Sequence, residues 1–87
     1  MDRQIYEREM AKAWDRMSAG DDQSYWLGYQ RGLSQQFYGA NFISEDEHQI
    51  CLSKANSNDC RRNRLGQGYV DGYYFGVDEM LEIADCG

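Results

Sequence analysis

His48 and Cys51 stand three residues apart, with Cys60 and Cys86 further along the chain. A histidine and three thiolates would suit a tetrahedral zinc site, and on a helix His48 and Cys51 would share a face. Paired Cys-x-x-Cys spacing is missing, and free cysteine packs as readily as any small apolar residue. The set therefore reads as packing, and no metal or other cofactor is expected. The histidine belongs to no catalytic motif, and no nucleophile sits in a recognisable turn. The glycines lie at helical spacing rather than in the G-x-x-x-x-G-K pattern that cradles phosphate. The expectation is a binding protein without enzymatic chemistry.

Charge is the next candidate for chemistry. On a helix running on from residue 58, Asp71, Asp78, Glu82 and Asp85 would fall in a narrow band along one side, with Phe75 at its edge. Such a band suits a cationic surface on a partner; the plainer reading is a solvated outer face. Lys54, Arg61, Arg62 and Arg64, interleaved with Asn56, Asn58 and Asn63, form a basic cluster. It could touch phosphate, but it has no aromatic platform and the chain around it is acidic. It is read as a secondary rim around the acidic surface, and direct nucleic-acid binding is not expected. The formal net charge is −6, with five acids and no base from residue 65 onward.

These groups need elements to position them. Gly68, Gly72 and Gly76 recur every four residues, and so line up along one side of a helix. Glycine inside a helix costs about 1 kcal/mol relative to alanine, so three in line imply another backbone lying close. Gly28-Tyr29-x-x-Gly32 supplies it, forty residues before Gly68-Tyr69-x-x-Gly72. Two helices are expected to cross glycine to glycine, with tyrosines wedged at the sides. The alternative is that the groove receives a second copy, giving a homodimeric structural or regulatory adaptor.

The remaining pattern is helical throughout. Ile5, Tyr6, Met10, Ala13, Trp14 and Met17 predict an apolar face on a first helix over 3–18. Gly20 fits its stop, and Asp21-Asp22 a cap for a second helix over 22–38, ended by Gly39. Ala40-Asn41-Phe42-Ile43 makes a short connection with two apolar anchors. Ser44 with Glu47 forms a capping box for a third helix over 45–53, burying His48 or Ile50. Ser57 or Asn58 is expected to cap a long fourth helix over 58–84. The 87 residues contain no proline, which suits a single all-α domain, 1–87, built as a three to four helix bundle. Its twelve aromatic rings let so short a chain build a core. No stretch reaches the roughly 20 apolar residues of a membrane span. The odd cysteine count and the start Met1-Asp2-Arg3-Gln4 point to a reducing cytoplasm.

Trp26-Leu27-Gly28-Tyr29-Gln30-Arg31-Gly32-Leu33 with Tyr38-Gly39, the segment Glu45–His48, and Gly68–Gly72 resemble small accessory proteins of temperate bacteriophages and prophages. Products of that kind often inhibit host defence, anti-CRISPR proteins among them. The resemblance implies an inhibitor in the bacterial cytoplasm that docks on a nucleic-acid-handling host complex with a basic surface. The Gly-Tyr-x-x-Gly helix also resembles a pattern in ribosome modulation factor. That protein is basic and orders its elements differently, so no ribosomal role is carried over.

Overall fold

The computed structural model describes residues 2–75, which form four α-helices and two short 3-10 turns. Helix α1 spans Arg3–Ser18, α2 Gln23–Tyr38, α3 Glu45–Ser53 and α4 Cys60–Tyr73; Gly39–Asn41 and Lys54–Asn56 are the 3-10 turns. The chain is all-α among the described residues, as its periodicity predicts, and α2 and α4 make the close crossing.

Helix ends follow local chemistry. The Asp2 carboxylate accepts from the Ile5 amide, Ser44 Oγ from Glu47 and Asp59 from Arg62, each satisfying an amide that the first helical turn leaves without a partner. Asp59, rather than Ser57 or Asn58, caps α4; the Ser57 hydroxyl accepts from the Asp59 amide and shapes the approach. Asp22 occupies the cap position of α2 at φ 42° but makes no side-chain cap bond. Its carboxylate is turned to Arg64.

Helices α1 and α2 form an antiparallel hairpin. Tyr6 stacks on Phe37 at 4.5 Å between ring centroids and hydrogen-bonds Ser34 at 2.9 Å, while further along Glu9 meets Tyr29. Ala13 and Leu33 are fully buried between them. Trp14, expected in the core, is 56% exposed. Glu9 is buried instead, because four residues separate it from Ala13 and both face α2.

The crossing of α2 and α4 repeats with a shift of forty residues in both directions. A Cβ on Gly28 would press on the Leu65 carbonyl and lie 2.9 Å from the Tyr69 nitrogen. One on Gly68 would press on the Tyr25 carbonyl and lie 2.9 Å from the Tyr29 nitrogen. Gly32 sits likewise against Tyr69 and Tyr73, and Gly72 against Tyr29 and Leu33. The partner numbers rise together, so the two helices run in the same sense and are related by a local two-fold. Backbone approach this close brings Cα–H groups onto facing carbonyls, a weak but recurrent attraction. Gly66 makes a further approach, against Lys54 and Ala55 of the second 3-10 turn. Gly76 lies outside the described residues.

Helix α4 ends at Tyr73, so the expected helix over 58–84 is corrected at both ends. The Phe75 amide turns back to the Gly72 carbonyl at 3.3 Å. The Gln36 side chain donates to the carbonyls of Tyr73 and Phe75, the latter at 2.8 Å, satisfying acceptors that the helix end frees. Phe75 packs against the cluster of Ala13, Tyr29 and Leu33.

Candidate functional site

Two buried polar pairs flank the crossing. The Tyr29 hydroxyl donates to Glu9 at 2.9 Å, and Lys12 Nζ lies 2.8 Å from the same carboxylate oxygen. Lys12 also stands over the Trp26 and Tyr29 rings, 5.9 and 5.6 Å from their centroids. Burial works to raise the Glu9 carboxyl. The hydrogen bonds from Lys12 and Tyr29 and the positive charges of Lys12 and Arg8 outweigh it, and the carboxyl lies below its ordinary value. On the other side of the two-fold, Tyr69 is 1% exposed and its hydroxyl lies 2.6 Å from His48 Nδ1. Tyr29 and Tyr69 are both pushed upward, chiefly by burial. The bond gives both buried polar groups a partner, whichever of the two donates. Each tyrosine of the repeated motif therefore reaches a buried ionisable partner on the helix preceding its own.

The expected site residues are distributed differently from their expected surface. Asp71 is exposed and accepts a hydrogen bond from Tyr25, so it is tied to α2 rather than free in solvent. Phe75 is half-buried against the core and is not an exposed anchor. Asp78, Glu82 and Asp85 lie outside the described residues. In the basic cluster, Arg64 pairs with Asp22 through Nε at 2.9 Å and stacks 4.9 Å from the Tyr25 ring centroid. Its guanidinium is committed to α2, and the Asp22 hydrogen bond holds its pKa above the ordinary value. Arg61 and Arg62 remain exposed and Lys54 half-exposed, so the rim is a looser group than its spacing implied.

Of the proposed metal set, His48 is buried with Nδ1 engaged, Cys51 is half-buried, Cys60 is exposed, and Cys86 lies outside the described residues. No group of three potential metal ligands gathers among the described residues. Nor does any described helix have the length and apolarity to cross a membrane.

A groove of about 390 Å³ was not anticipated from the sequence. Arg31 of α2, Phe42 and Ile43 of the connection, Glu47, Ile50 and Cys51 of α3, and Lys54 line it over Tyr69. Phe42 is 39% and Ile50 58% exposed, an apolar investment that water does not reward. The Phe42-Ile43 pair was its one sequence signal. Its other wall depends on where α3 docks.

No family model, curated protein or solved structure matches the chain. The reading of function therefore rests on the residues themselves.

Proposed function

We propose that this protein acts by binding rather than catalysis, as a phage-type inhibitor that docks on the basic surface of a bacterial nucleic-acid-handling complex, in the manner of an anti-CRISPR protein. The observation that carries the reading is how charge is divided. Within 2–75, Glu7 pairs with Arg3, Glu9 with Arg8 and Lys12, Asp21 with Arg16 and Asp22 with Arg64. Asp2 and Asp59 cap helices, and Asp71 holds Tyr25. Four of the six surplus negative charges are Asp78, Glu79, Glu82 and Asp85, in a stretch that also holds Met80, Leu81 and Ile83. An acidic stretch with apolar anchors is suited to a cationic site from which it displaces phosphate.

The homodimeric adaptor is the weaker reading. Gly28, Gly32, Gly68 and Gly72 face one another within one chain, so a second copy would need another surface.

Capture of a partner from bacterial lysate with the tagged chain, followed by a nucleic-acid binding assay on the purified partner, tests the reading. The expected result is a nucleic-acid-handling complex whose grip on DNA or RNA is lost when the chain is added. A partner with no nucleic-acid site, or one held equally by a chain carrying Asp78→Asn, Glu82→Gln and Asp85→Asn, would sink it.

A further inference from the structure

Arg31 of α2 and Lys54 of the second 3-10 turn line one groove, and neither pairs with a carboxylate among the described residues. Glu47 is the one acid of the lining, so cations outnumber acids there although the chain as a whole carries −6. Phe42, Ile43 and Ile50 supply apolar surface beside these charges. The Tyr69 hydroxyl is engaged with His48, so the floor holds no free phenol.

The walls are braced from within the chain. Gln35 of α2 accepts from the Ile43 amide at 3.3 Å and holds the connection. His48, 2.6 Å from the Tyr69 hydroxyl, holds α3 on α4. Asn63 donates to the Ala55 carbonyl at 2.7 Å, and Gly66 admits the backbone of Lys54 and Ala55, which fixes the second 3-10 turn on α4. A concavity braced on three sides has little freedom left to lose when it is filled. Its volume of about 390 Å³ falls in the range of small-molecule sites.

We propose that this groove binds a small organic acid, its carboxylate held between Arg31 and Lys54 and its apolar body covering Phe42, Ile43 and Ile50. The two cations select an anionic head. A guanidinium grips a carboxylate through paired N–H donors, and such charge-assisted bonds are about twice as strong as neutral ones. The exposed Phe42 and Ile50 select a hydrocarbon body, because covering them removes apolar surface from water. Glu47 repels a second carboxylate, so a monocarboxylate fits best. The site uses none of the acids assigned above to a cationic partner, and the two proposals fail separately.

Decanoate, kept below its micelle concentration, is the probe. It is titrated into the isotope-labelled full chain while backbone amide NMR shifts are followed. The expected result is saturable shifts centred on Ile43, Ile50, Cys51 and Lys54. Acetate, which lacks the body, and decylammonium, which inverts the head charge, should produce none at the same concentration. Arg31→Gln with Lys54→Gln should weaken decanoate binding by about tenfold or more, and Ile50→Asp should weaken it too. Arg31 and Ile50 are exposed and Lys54 half-exposed, so these variants should fold, and their melting temperatures without ligand check it. The decylammonium comparison uses the parent chain and stands whatever the variants do. Equal binding of decylammonium, indifference to both sets of substitutions, or shifts spread without saturation over the exposed Trp14 and Tyr38 would overturn the proposal. So would tighter occupation by an acetylated tetrapeptide of leucine, glutamate, phenylalanine and aspartate, which assigns the groove to a protein partner. A dimer in sedimentation whose interface excludes decanoate would overturn it as well, by assigning the groove to a second copy.

Discussion

The Gly68 backbone rests on the Tyr25 carbonyl so closely that no side-chain carbon fits between them. The obstacle is a backbone atom in the first turn of α2, which cannot rotate away as a side chain would. Gly68→Ala should therefore cost at least the roughly 1–3 kcal/mol of ordinary overpacking. In a domain of this size that lowers the melting temperature by at least about 4 °C. Gly28→Ala should cost a similar amount through Leu65, and Gly72→Leu more than either. Thermal melts that leave Gly68→Ala level with the parent would show that the helices do not cross here.

The two tyrosine pairs should respond unequally. Tyr69→Phe leaves His48 Nδ1 buried without its hydrogen-bond partner, at a cost of about 1–3 kcal/mol. Tyr29→Phe removes one donor from a carboxylate that keeps Lys12, so its loss should be the smaller. Denaturant unfolding of both variants checks the order, and a reversal would mean that Lys12 contributes little to holding Glu9.

Alkaline pH should unfold the protein through its tyrosines. Tyr25, Tyr29 and Tyr69 are each raised above the ordinary value of 10.0, chiefly by burial, with hydrogen bonds to Asp71 and Glu9 adding to the first two. A raised value means the folded state binds the proton more tightly, so stability is complete below pH 10.0 and is lost as pH climbs above it. Ultraviolet titration should show three of the seven tyrosines ionising only as the circular dichroism collapses. Seven ionising together while the fold is intact would contradict the burial of these three.

Glu9 sets the acid side. Its carboxyl lies below the ordinary 4.5, so its contribution is present above 4.5 and is lost as pH falls through the lower folded value. Glu9→Gln should flatten the loss of stability below about pH 4.5, measured by urea unfolding along a pH series. A slope identical to the parent's would assign acid sensitivity to other carboxylates.

Asp71 should behave unlike the acids that follow it. Asp71→Asn weakens the Tyr25 bond and should reduce stability slightly, by about 0.5–1.5 kcal/mol. Asp78→Asn, Glu82→Gln and Asp85→Asn together should leave the melting temperature level or slightly higher and slow association with a cationic partner. Equal effects on stability from the two sets would argue that Asp71 stands free.

Local chemistry was legible in the sequence. The repeated Gly-Tyr-x-x-Gly announced the crossing because only a backbone in contact explains glycines that weaken both helices. Ser44, Gly20 and Gly39 marked helix ends because caps and positive φ values, here 79° and 64° for the two glycines, are properties of single residues. Tertiary structure decided the rest. Periodicity runs on past Phe75, yet α4 ends at Tyr73, where Phe75 packs on the core cluster and Gln36 takes up two freed carbonyls. Glu9 reads as surface until Tyr29 and Lys12 converge on it, and Trp14 reads as core, yet the packed hairpin buries Ala13 and Glu9 and leaves Trp14 in solvent. The Arg31–Lys54 groove exists because α3 docks at one particular place on α4, fixed by a hydrogen bond between His48 and Tyr69 twenty-one residues apart. Spacing fixes which residues share a helix face; what faces them is set only when distant segments pack.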